Sequence, residues 1–203
     1  MIEGADPGGV AVLRIISGAC GITSQVVGLT VLLVAIHRSP WFSWTESDIS
    51  FLGDRGSATM LFNRGLIFTG VLSLIFAIGL GQSLLLSRLG QLGMVSLILG
   101  SMAISALGIF PRNIDLPHDL ASIAFFIFVV LALLLIGVAA VTASQMMWGL
   151  ISLTASVLML VFQLVPWPRS GGAIMQVLSC LPWSLWTIVF AVGLLVGSSP
   201  VDG

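Results

Sequence analysis

The sequence predicts an all-α membrane protein: a bundle of six transmembrane helices with short loops and one longer polar loop between the first and second. Three observations lead there. Of the 203 residues, 58% are hydrophobic and only 7% charged, against roughly a quarter charged in soluble domains. The apolar residues gather in six runs long enough to cross a bilayer, and a segment in hydrocarbon has to satisfy its own backbone hydrogen bonds, as a helix does. Between the runs stand prolines, glycines and most of the few charges, residues that stop helices or anchor them at headgroups. Six spans leave no room for a soluble domain, so residues 1–203 are expected to form a single integral membrane domain.

The spans are expected at about 10–36, 61–86, 92–110, 117–141, 146–165 and 173–196. Residues Met1 to Gly9 carry no positive n-region, and the run after them exceeds a signal-peptide core, so the first span is expected to be retained. Ser17, Gly21, Ser24 and Gly28 recur along one side of it, a small-residue stripe that lets helices approach closely where lipid gives no hydrophobic drive. Gln25 beside the stripe is expected to find an interhelical partner. Pro40 stops the helix, and Trp41 and Trp44 stand where an interfacial aromatic belt belongs.

The loop from Pro40 to Ser57 carries Asp48, Asp54 and Arg55 interrupted by Ile49, Phe51 and Leu52. A solvated tether rarely carries such an apolar trio, so the loop is expected to fold back onto the helix ends as a short interfacial helix or re-entrant turn. The second span opens with Asn63 and Arg64, and the third carries Gly93, Ser96, Gly100 and Ala103 on one face. Asp115, His118, Asp119 and Ser122 share the spacing of one face of the fourth span. Against that functional face stands plain capping, since an Asp just before a helical proline is an ordinary N-cap. The sixth span carries Pro182 as a candidate kink, with Trp183 and Trp186 on its flank.

The formal net charge is −1, every basic residue is arginine, and no basic tract exists. Nucleic acid is therefore excluded as a partner, and membrane lipids are the expected surroundings, with the cell membrane as the location. Cys20 and Cys180 lack ligand spacing and read as packing residues. No cofactor is expected.

Alternation of the spans puts both termini on one face. The opposite face gathers His37, Arg38, Asp48, Asp54, Arg55, Arg64, Arg112, Asp115, His118, Asp119 and Arg169. Arg38, Arg64, Arg112 and Arg169 come from the ends of different spans and are expected to converge on an anionic headgroup or small anion. One alternative is an intramembrane hydrolase acting on a lipid, with His37, His118, Asp48 and Asp115 around a metal that activates water; their spacing matches no metal-site signature. Another is a small-solute transporter, for which Gln25, Gln163 and Gln176 are few and no carboxylate lies mid-span. The reading leans away from an enzyme, and no catalytic residue is assigned.

The order Ser47-Asp48-Ile49-Ser50-Phe51-Leu52-Gly53, Leu61-Phe62-Asn63-Arg64-Gly65-Leu66-Ile67 with Gly70, and Gly108-Ile109-Phe110-Pro111 followed by His118 and Phe125-Phe126 resembles the multi-span family of domains of unknown function numbered 998, DUF998. The resemblance runs from the first span to Gly172 and Trp186. It puts weight on Asp48, Ser50, Gly53, Asn63, Gly65, Pro111 and His118 and implies no activity. One departure is that Gln176 is followed by Val177 rather than by a basic residue. The expected ligand-binding set is Arg38, Asp48, Ser50, Asn63, Arg64, Arg112, His118 and Asp119.

Overall fold

The computed structural model describes residues 7–84, 87–166 and 172–197. Among them the chain forms six long helices: α1 Pro7–His37, α2 Thr59–Leu84, α3 Arg88–Ile109, α4 Asp115–Thr142, α5 Met146–Leu164 and α6 Ala173–Val196. A single 3-10 turn, Ile49–Gly53, lies in the first loop. All six helices are long and apolar enough to cross a membrane. The shortest, α5, has 19 residues, about 29 Å at 1.5 Å per residue, matching a hydrocarbon core of about 30 Å.

Each helix packs on its sequence neighbours, and α6 closes against α1, so the bundle is a ring. Its outside is apolar as well: Ile15, Leu29, Phe68, Leu92, Leu116 and Leu150 are exposed, as suits a surface solvated by lipid rather than water.

Small residues set the helix spacing as the stripes predict. Gly21 of α1 faces Phe76 and Ala191, Gly28 faces Thr69, and Ser17 faces Gly79. On α3, Gly93 and Gly100 lie against Ile136 and Val129 of α4. A methyl group at most of these glycines would meet a neighbour closer than van der Waals contact, so the close packing depends on them.

Trp183 and Trp186 stand on a flank of α6 that turns into the bundle: both are buried, and Trp186 is 1% exposed. Burial is tolerable because Trp186 Nε1 donates to Ser152 Oγ at 2.8 Å, giving the indole its partner inside; the ring also stacks on Phe190 with centroids 4.3 Å apart. Helix α4 has no side-chain cap: Ile114 occupies the N-cap position, and Asp115 lies in the first turn, where its charge suits the helix dipole and Pro117 removes no helical hydrogen bond. Helix α3 begins earlier than expected, at Arg88, because Ser87 Oγ accepts from Gly90 N at 3.0 Å and so caps it.

Candidate functional site

The first loop folds back onto the helix ends, as its apolar trio predicts. Leu52 is fully buried with Ala35, Ala58 and Phe62, and Gly56 turns the chain at φ 86°, a conformation that favours glycine. Asp48 occupies the N-cap of the 3-10 turn, yet makes no capping bond there. Its carboxylate reaches across the bundle instead: Gly172 N donates to Asp48 Oδ1 at 2.7 Å. Ala173 N donates to the Ser47 carbonyl at 3.0 Å, and Ile49 N donates to Gln176 Oε1 at 2.9 Å. The first N–H groups of α6, which no helical carbonyl can satisfy, are thus met by the distant loop. On the other side Asn63 Nδ2 donates to the Gly53 carbonyl at 2.9 Å. Gly53 packs so closely that a methyl there would fall on Asn63 Oδ1. The loop is pinned to α2 and α6 at once.

Beneath this strap lies a cavity of about 470 Å³ between α1, α2, α4 and α6, with Ile104 and Leu107 of α3 also in its wall. Its walls are largely apolar, with Leu32, Phe62, Leu66, Phe125 and Trp183 among them. Toward the loop its lining turns polar with Ser50, Asn63, His118, Ser122 and Gln176, and deeper with Gln25 and Thr69. His118 is buried and its Nδ1 lies 2.9 Å from the Phe110 carbonyl. A carbonyl only accepts, so Nδ1 carries the proton, and in the neutral ring Nε2 is left as the acceptor. Asn63 Oδ1 and Thr69 Oγ1 are buried without a hydrogen-bond partner among the described residues. Val26 and Leu29 of α1 and Leu181, Leu185 and Ile188 of α6 line the cavity while being exposed on the bundle's outside. The cavity therefore opens sideways, between α1 and α6, where the bilayer lies.

A family model described as protein of unknown function (DUF998) matches residues 22–193. The chain belongs to the DUF998 family. No curated protein and no solved structure matches it.

In this DUF998 protein the expected site residues separate into groups. Ser50, Asn63 and His118 line the cavity, and Asp48 holds the strap above it. The arginines do not join them. Arg38 is exposed just past α1, Arg64 is exposed and faces an outer groove between α1 and α2, and Arg112 pairs with the exposed Asp119. Arg169 lies outside the described residues. The face shared by Asp115, His118, Asp119 and Ser122 is split: His118 and Ser122 line the cavity, whereas Asp115 and Asp119 are exposed. Residues 118 and 119 are a helical step of about 100° apart, enough to send one inward and the other out.

Among the described residues no three His, Cys, Asp or Glu side chains come together as metal ligands. His37 and Asp115 are exposed and Asp48 is bonded to α6, so these three and His118 do not make the centre that the hydrolase alternative needs. Among the described residues Gln25 finds no partner on another helix; its Nε2 donates to Ser24 Oγ at 2.9 Å, and its side chain lies along the cavity wall. Gln176 and Thr69 line the cavity without belonging to the expected set. A signal existed for Gln176, an amide one turn into an uncapped helix. For Thr69 there was none, since a lone Thr in an apolar span reads as packing.

Proposed function

We propose that this protein binds a membrane amphiphile of the cell membrane, drawing it from the bilayer into the cavity through the gap between α1 and α6. The apolar tail lies against Leu66, Phe125 and Trp183, and an uncharged, hydrogen-bonding headgroup meets His118, Asn63, Ser50 and Gln176. The observation that carries this reading is the cavity's lining: polar under the strap, apolar below and, among the described residues, without an arginine or a carboxylate. Its volume of about 470 Å³ falls within the roughly 300–1,000 Å³ of small-molecule sites. An anionic headgroup, the ligand expected from the arginines, fits this cavity less well than a neutral one, because an unpaired anion in hydrocarbon is costly.

Filling the cavity tests the proposal. Ser184 lines it from α6 and is half-buried, so Ser184→Trp places an indole in the ligand's volume. Native mass spectrometry of the detergent-purified protein is expected to show a retained lipid on the wild type, lost from the variant at unchanged helicity. Extraction and headgroup analysis then give its class. An equal adduct of a co-purified neutral lipid on both proteins, or no neutral lipid on either, would overturn the reading.

A further inference from the structure

Arg64 stands apart from the cavity. It projects into a second depression, of about 510 Å³, on the outer surface between α1 and α2. The residues around it there are Val27, Met60, Leu61 and Phe68, with Ser57 at the loop end. Met60, Leu61 and Phe68 are exposed. Among the described residues Arg55 and Arg112 are ion-paired with Asp54 and Asp119, while Arg64 has no carboxylate partner.

Depth matters as much as charge. Arg64 lies five residues into α2, about 8 Å along the axis at 1.5 Å per residue. Trp41 and Trp44, exposed on the loop at the same rim, mark the headgroup layer. The guanidinium can extend toward that layer, which puts it at the phosphate level of the lipid lying in the groove, with acyl chains along Val27 and Phe68. A cation at this depth is stabilised by an anion brought by the lipid, and a guanidinium matches phosphate oxygens in two-bond geometry.

We infer that the α1–α2 groove is a binding site for an anionic glycerophospholipid, its phosphate held by Arg64. The site is separate from the cavity: Val31 and Gly65 line both, and their contact is the wall between them. Gly65 makes that wall thin, since a Cβ there would lie 2.5 Å from Val31 Cγ1. A lipid seated outside therefore also packs on the seam that separates cavity from bilayer.

The test uses the full chain in detergent, titrated with phosphatidylglycerol or phosphatidylcholine and read by native mass spectrometry. Wild type is expected to favour phosphatidylglycerol. Arg64→Gln lowers that adduct about fivefold, the equivalent of about 1 kcal/mol for one arginine near an anionic surface, while Arg64→Lys restores part of it. Arg38→Gln, which removes an exposed charge near the same rim but outside the groove, leaves it unchanged, as does the cavity-filling Ser184→Trp. No lipid preference in the wild type, an unchanged adduct on Arg64→Gln, or an equal loss on Arg38→Gln would overturn the site and leave Arg64 as a headgroup anchor. Loss of the adduct on Ser184→Trp would also overturn it, by placing the anionic lipid in the cavity.

Discussion

The bond from Gly172 to Asp48 joins residues far apart in sequence at the mouth of the cavity, and a double-mutant cycle can isolate it. Gly172 N donates to Asp48 Oδ1 at 2.7 Å, a hydrogen bond to a charged acceptor, worth about 1.5–3 kcal/mol. Asp48 is only half-buried, so water replaces part of the loss, and Asp48→Ala is expected to cost about 2 kcal/mol. For a chain of this size that corresponds to roughly 4–8 °C in the unfolding midpoint. Asp48→Asn keeps an acceptor without the charge and should cost about half as much.

Gly172→Ala attacks the same bond from the other end. Its φ of −93° suits alanine, so the backbone is not strained, but the new Cβ would lie 2.6 Å from Asp48 Oδ1 and push the carboxylate off. The single change should cost about 1–2 kcal/mol, and in the Asp48→Ala background that cost should vanish because nothing remains to clash with. The four proteins are compared by tryptophan fluorescence during unfolding in one detergent. A coupling energy of about 1 kcal/mol or more is expected; if the two single costs simply add, the bond is absent and the strap is held some other way.

The other predictions concern single positions. Gly53→Ala should destabilise by about 1–3 kcal/mol, read in the same unfolding assay, because the methyl falls on Asn63 Oδ1; Asn63→Ser in the same chain should recover part of the loss. Trp186→Phe breaks the 2.8 Å bond to Ser152 Oγ and thins the ring stack, so a fall in the unfolding midpoint equivalent to about 1–3 kcal/mol is expected. Arg112→Gln removes an ion pair whose side chains are 35% and 52% exposed; water screens it, and the midpoint should move by no more than about 1 kcal/mol.

The sequence alone determined the solvent, the number of spans and the faces on which helices pack. Hydrocarbon forces each apolar run to close its own backbone hydrogen bonds, so length and composition suffice to place α1 to α6. The stripes of Ser17, Gly21 and Gly28, and of Gly93 and Gly100, likewise announced packing faces, because only small residues allow close approach. The apolar trio around Asp48 foretold a folded loop.

Tertiary structure alone decided which polar residues share a space. Charge scarcity drew attention to Arg38, Arg64 and Arg112, yet a sequence records that a charge lies near a helix end, not whether it turns inward. In the ring, Arg64 turns to the outer surface, while the uncharged Asn63 beside it on α2 turns to the cavity. The tie from Asp48 to α6 was equally illegible, since it depends on α6 closing against α1 and bringing Gly172 beneath the first loop. Helical periodicity orients a side chain relative to its own axis; only the packing of the other helices fixes what it meets.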